Sequence, residues 1–186
     1  AVMSGELSQF RGPLGNGVYS SGQLPGSWSS TRNLGWSRKI PGGAWSCPVV
    51  AGDRVFLTTA VSAETGKPKG FGDGVAAMRR FFRSQPPSTA VSFELHCHRL
   101  SDGARVFSRT IDKRVPRFVV HPSNSYATES PATDGSRVYV SFAAIGIVAC
   151  LDVDGKTLWK RDLGAHPTSS NFGTGSSLTL DENQLY

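Results

Sequence analysis

Cysteine is scarce in this sequence of 186 residues. Only Cys47, Cys97 and Cys150 occur, far apart, with no CxxC spacing and no adjacent pair. An odd count leaves at least one thiol unpaired within a monomer. All three read as free thiols that serve as small apolar residues, in preference to the one pairing a repeat pattern would suggest, Cys97 with Cys150. Long apolar runs are also missing. The longest, Phe142 to Leu151, contains Gly146 and falls well short of the ~20 residues of a transmembrane helix. No leader pattern is visible at Ala1. Acidic residues are outnumbered, and the net charge is +6. A basic balance would suit nucleic acid or an anionic surface. Yet no Arg/Lys stripe interleaves with aromatics, and Lys67, Lys69, Arg79, Arg80 and Arg83 lie together in one stretch with only Glu64 and Asp73. Nucleic acid is therefore not an indicated partner.

What the sequence has is β-strand residues cut up by turn residues. Ser130-Pro131-Ala132-Thr133 reads as a short strand. Asp134-Gly135 is a turn, Arg137 to Phe142 a second strand, Ile147 to Asp152 a third, and Thr157 to Asp162 a fourth after the turn Asp154-Gly155-Lys156. The unit recurs. Cys47-Pro48-Val49-Val50 through Leu57 aligns with Ser130 through Val140, and Ser177 through Tyr186 opens a third copy, 47 residues after Ser130. Asp102-Gly103 through Arg109 aligns with Asp154-Gly155 through Arg161. A four-stranded unit repeating at roughly 40–50 residues is the pattern of a β-propeller blade. The expected fold is all-β, with four-stranded antiparallel blades.

The organisation follows in chain order. Residues 1–33, rich in Gly, Ser and Pro, read as an arm, with Phe10, Leu14, Leu24 and Trp28 as its anchors. Residues 34–41 resemble the fourth strand of a blade and would complete a last blade. Blade 1 spans 45–112, interrupted by an insertion at 62–90 in which Val75 to Arg83 suits a short helix. Blade 2 spans 130–164, and 176–186 begin blade 3. About two and a half blades cannot close a ring, so the chain reads as an N-terminal fragment that lacks the remaining blades. The polar linkers 114–129 and 165–175 both carry His-Pro followed by Ser and Asn, and both lead into an innermost strand.

The stretch Leu151-Asp152, Asp154-Gly155-Lys156, Leu158-Trp159 resembles the repeat of PQQ-like (pyrroloquinoline-quinone-type) β-propellers, in which a Gly-containing turn precedes a Trp that docks on the neighbouring blade. The turn here is one residue shorter, and Phe107 replaces Trp in the preceding unit. The segments Gln9-Phe10-Arg11-Gly12-Pro13, Gly15-Asn16-Gly17, His121 to Ala127 and Gly173 to Ser177 are similar to secreted bacterial members. The resemblance spans essentially the whole chain. It implies a ring of seven or eight blades, an extracytoplasmic location, and blade docking through Trp36, Phe107, Trp159, Gly103 and Gly155. It implies two activities. The preferred one is a non-catalytic scaffold that binds envelope or secreted proteins, or a small ligand, as the similar outer-membrane assembly lipoproteins do. The alternative is a PQQ- and Ca²⁺-dependent quinoprotein dehydrogenase with catalytic residues outside this fragment. The vicinal Cys-Cys pair of many such enzymes is missing, and no Asp stands out as a base, so PQQ with Ca²⁺ is disfavoured. A structural or sensory module attached to another domain is a third class.

Candidate ligand-binding residues fall in the linkers and at the first residue of blade 2: His121, Asn124, Tyr126, Glu129, Ser130, His166 and Asn171. Glu129 precedes an inner strand, where a carboxylate with an Asn would ligate Ca²⁺ or accept ligand hydrogen bonds. The competing reading, that these side chains satisfy the backbone of a buried linker, stands modestly ahead. His96 and His98 alternate on a strand and share a face, which would suit Zn or Cu, but they read better as two exposed strand residues. Gly173 to Ser177 lacks the Lys and helix of a phosphate loop. Asp102, Asp152 and Asp154 are accounted for as turn residues. No catalytic or metal residue is assigned.

Overall fold

A computed structural model describes residues 7–18, 25–65, 85–181 and 184–186. The suggested helix over 75–83 and the anchor Leu24 lie outside these. Among the described residues ten strands form: β1 (Val49–Ala51), β2 (Arg54–Val61), β3 (Val91–Arg99), β4 (Arg105–Arg114), β5 (Ala132–Thr133), β6 (Arg137–Phe142), β7 (Ile147–Asp152), β8 (Thr157–Asp162), β9 (Leu180–Asp181) and β10 (Gln184–Leu185). They make two four-stranded antiparallel sheets in sequential order, β1-β2-β3-β4 and β5-β6-β7-β8, and the hairpin β9-β10. The chain is all-β, two successive propeller-type blades and the opening hairpin of a third.

The blades share fine detail. Cys97 pairs with Phe107 and His98 with Arg105, so Val106 is an extra residue on β4; Cys150 pairs with Trp159 and Leu151 with Thr157, so Leu158 is extra on β8. A bulge turns the strand locally, and here it precedes the same aromatic position in both blades. Asp side chains tie the turns: Asp102 Oδ1 accepts from the Ala104 amide at 2.8 Å, and Asp152 Oδ1 from the Asp154 and Lys156 amides at 3.1 and 2.8 Å.

Alternation along each strand sorts side chains to two flanks. Phe56, Phe93, Leu95 and Cys97 of blade 1 meet Val138, Val140, Phe142, Ile147, Ala149 and Leu151 of blade 2 in one buried core. Phe93 and Phe142 pack edge to face at 5.2 Å. The other flank of blade 2, Tyr139 and Cys150 with Trp159, packs on Leu178, Leu180 and Leu185 of the third unit. Cys97 and Cys150 are buried free thiols, whereas Cys47, also free, is exposed and not a core residue.

The remaining flank of blade 1 is polar. Cross-strand pairs Val55–His98, Leu57–His96 and Thr59–Glu94 stand where blade 2 has Val138–Leu151, Val140–Ala149 and Phe142–Ile147. His96 and His98 are 2% and 5% exposed, which corrects the expectation of two exposed residues. An alternating polar strand face ordinarily means solvent; here the imidazoles are enclosed, His96 bonded through both ring nitrogens and His98 through Nδ1. His96 lies 2.9 Å from Thr59 Oγ1 and 3.1 Å from Ser108 Oγ. His98 Nδ1 lies 3.0 Å from Gly103 O. Glu94, two residues upstream on the same face and 3.4 Å from His96, is the neighbour the sequence reading passed over.

The arm is not held by its apolar side chains. Phe10, Leu14 and Trp28 are 47%, 79% and 61% exposed, while Gln9 is buried. Residues 34–41 pair with no strand among the described residues; side chains fasten them instead, as described next.

Candidate functional site

Two kinds of contact recur from blade to blade, and they position the linkers. The first is aromatic on glycine. Gly155 sits at φ +86° under the Phe107 ring, and a Cβ there would lie 2.8–3.0 Å from three ring atoms. Gly103, at φ +68°, lies directly under the Trp36 ring. The positive φ already favours glycine, and the ring contact excludes a side chain a second time. An arginine two residues after each aromatic completes the contact: Arg38 Nε donates to Gly103 O and Arg109 Nε to Gly155 O, both at 3.1 Å. Trp36 Nε1 also donates to Leu100 O at 2.7 Å. Trp159 and Arg161 occupy the same places in blade 2, where Trp159 packs on Tyr139 at 6.2 Å between ring centres. The Arg was legible in the aligned repeats as Trp36-x-Arg38, Phe107-x-Arg109 and Trp159-x-Arg161, a signal that the sequence reading did not use.

The second contact joins innermost strands through serine. The Cys47 amide donates to Ser130 Oγ at 2.9 Å, and the Ser130 amide to Ser177 Oγ at 3.0 Å. Ser130 thus spends its hydroxyl on the neighbouring repeat.

These contacts bring the linkers together. Ser125 Oγ donates to Gly43 O at 3.0 Å, the Trp45 amide to Ala127 O at 3.1 Å, and Trp45 Nε1 to Ser123 O at 2.7 Å. Asn124 braces both linkers at once. Its Nδ2 donates to Phe172 O at 2.8 Å and Thr174 O at 3.1 Å, while its Oδ1 accepts from the Ser125 amide at 2.8 Å and Thr128 Oγ1 at 2.5 Å. His121 Nδ1 meets Ser123 Oγ at 2.6 Å, and its ring stacks on Phe172 at 5.0 Å and 22°. Tyr126 donates its hydroxyl to Phe118 O at 2.9 Å, and burial pushes its pKa up to about 12. His121, Asn124, Tyr126 and Glu129 therefore lie on one braced linker, which runs directly into Ser130. His166 and Asn171 are exposed. His166 borders a cavity of about 10 Å³ shared with Phe118, Ala144 and Thr174, room for a single water.

Glu129 differs from its neighbours. It is 1% exposed, and among the described residues no donor reaches either carboxyl oxygen with good hydrogen-bond geometry; the Thr174 hydroxyl is likewise unmatched. Burial pushes its pKa up, against a weaker opposing pull from Thr174 and the amides of Glu129, Thr128 and Ala143. An enclosed carboxyl whose few donors are weaker than its loss of hydration favours the neutral acid.

A Ca²⁺-held quinone is the cofactor the family resemblance raises. Calcium takes six to eight oxygen ligands. Glu129 offers one carboxylate, but the Asn124 oxygen is already committed, and among the described residues no three His, Cys, Asp or Glu side chains converge. The residues present do not fit that group. A shallower recess of about 310 Å³ lies between the ends of β4 and β8, bordered by Arg114, Arg117, Ile145 and Asp162. Arg114 bridges to Asp162 at 2.8 Å there.

The fold and the linker cluster define a class: an all-β protein of propeller-type blades with its loops braced over the inner strands. No family model matches the chain, and no curated protein matches it. Among solved structures it is similar to BamB from Moraxella catarrhalis, with 15% identity over 76% of this chain and a TM-score of 0.35. The chain spans 40% of the length of that relative. No helix among the described residues is long and apolar enough to cross a membrane.

Proposed function

We propose that this chain is part of a non-catalytic, extracytoplasmic PQQ-like β-propeller scaffold that binds a protein partner through its linker face. The observation that carries this reading is a pair of exposed aromatics held in fixed positions. Trp45 and Phe172 are 55% and 51% exposed. Yet the Trp45 indole is pinned to Ser123 O, and the Phe172 carbonyl is bound by Asn124 while its ring lies on His121. Large rings that lose little freedom on contact are the side chains that dominate protein interfaces. The candidate polar residues support the same reading, since Asn124, Tyr126 and Ser130 spend their hydrogen bonds on bracing the linkers.

The test compares the wild type with Trp45→Ala and Phe172→Ala in pull-downs from envelope extracts. Loss of the same captured protein in both variants, with unfolding transitions unchanged, supports the reading. Calorimetry with PQQ and Ca²⁺ on the full-length protein checks the quinoprotein alternative. Stoichiometric quinone uptake would overturn the scaffold and return Glu129 to the front as a ligand.

A further inference from the structure

An innermost strand is a sheet edge, and each amide on its open side needs an acceptor. Three such amides stand at equivalent places. Val50 in β1, Thr133 in β5 and Leu180 in β9 each lie three residues beyond Cys47, Ser130 and Ser177. Consecutive residues of a single segment satisfy all three. The Val50 amide donates to Leu7 O at 3.0 Å and the Thr133 amide to Ser8 O at 2.7 Å. The Leu180 amide donates to Gln9 Oε1 at 2.8 Å. The change from main chain to side chain at the third place has a cause. The Gln9 carbonyl already accepts from the Gly12 amide at 3.0 Å, where the chain turns through Arg11 and Gly12, both at positive φ. The carboxamide is aimed by a second bond, Nε2 to Pro13 O at 3.1 Å. Leu7 is 43% exposed and Phe10 47%, so acceptor spacing holds this segment, not apolar anchors.

We propose that the amides of Val50, Thr133 and Leu180 form a peptide-binding site with one donor per repeat, and that the chain's own Leu7–Gln9 is its resident ligand. The ligand class is an extended peptide that presents two successive main-chain carbonyls and then a glutamine carboxamide. Main-chain bonds supply affinity and the carboxamide supplies selectivity, a division of labour common where extended peptides meet strand edges. The site uses none of the residues of the linker face and stands apart from that reading.

The test is exchange in trans. A protease site is inserted after Val18, which is 71% exposed, and the chain is cut there so that the arm is held only by contacts. A fluorescent peptide of the sequence Leu7–Pro13 is then added in excess and followed by anisotropy. The expected result is saturable uptake by the cut protein, none by the uncut protein, and binding about five-fold weaker for the Gln9→Ala peptide, as one lost hydrogen bond dictates. If cutting unfolds the protein, the same peptide restores the fold and the Gln9→Ala peptide does so less well. A peptide that neither binds nor restores the cut protein overturns the proposal, as does a Gln9→Ala peptide that matches it.

Discussion

Gly155→Ala measures how much a blade depends on its neighbour's aromatic. The position carries two separable penalties. An alanine at φ +86° costs about 1–2 kcal/mol from the backbone alone. Its methyl would also stand 2.8–3.0 Å from Phe107 Cζ, Cε2 and Cε1. Phe107 is only 7% exposed, so it cannot swing clear without cost, and overpacking of this kind adds about 1–3 kcal/mol. The total is about 2–5 kcal/mol. Gly135 is the internal control: it has φ +89° with nothing within 4 Å of its Cβ position, so Gly135→Ala pays only the backbone term. Equilibrium urea unfolding of both variants, with slopes checked for equality, reports the difference as the contact term. A Phe107→Ala background removes the ring, and Gly155→Ala should then fall to the cost of Gly135→Ala. Equal costs for the two glycines in the wild-type background, or a Gly155 penalty that survives loss of Phe107, would refute the docking argument.

Three further outcomes are expected. Glu129 has a raised folded pKa, so its folded form holds a proton that the unfolded chain gives up; stability is full below about pH 4.5 and falls as pH rises through the folded value. Glu129→Gln should remove that fall and raise the midpoint of urea unfolding at neutral pH. His96 is shifted the opposite way, lowered chiefly by burial despite Glu94; the unfolded chain takes up its proton first, so stability declines as pH drops below about 6.5. His96→Gln should flatten that limb of the unfolding midpoint against pH. Thiol labelling should find Cys47 reactive in the native protein and Cys97 and Cys150 reactive only on denaturation, because burial raises both buried thiols, Cys97 to about 11. Rapid native labelling of all three would contradict this packing.

The blades were largely legible. Strands β6, β7 and β8 lie where strand-forming runs and the flanking turns Asp134-Gly135, Ala143 to Gly146 and Asp154-Gly155 placed them, because a pleated, half-buried surface selects for β-branched side chains and tight turns for Gly and Asp. The alignment of Cys47, Ser130 and Ser177 located the inner strands, though not the hydroxyl contacts between them. Contacts through the backbone were illegible. Leu7 and Ser8 hold the arm by carbonyls, which every residue has, so apolar residues such as Leu14 drew attention that the structure does not repay. The burial of His96 was hidden for another reason: a strand's alternation reports that its faces differ, not that the polar one is wet.

Units built to one plan can be stacked in the wrong order, a characteristic hazard of repeat chains. Blade 2 presents Val138, Val140, Phe142, Ile147, Ala149 and Leu151 to its predecessor, and blade 1 presents Val55, Leu57, Thr59, Glu94, His96 and His98 at the same places. The flank bearing Phe93 and Leu95 fits the first set. The second set is polar, with its imidazoles bonded inside their own blade, and offers Phe93 and Leu95 little of the apolar surface that blade 2 supplies. The histidines thereby tell the two blades apart: a second copy of the unit that carries them would meet the Phe93 flank with a polar face in place of an apolar one.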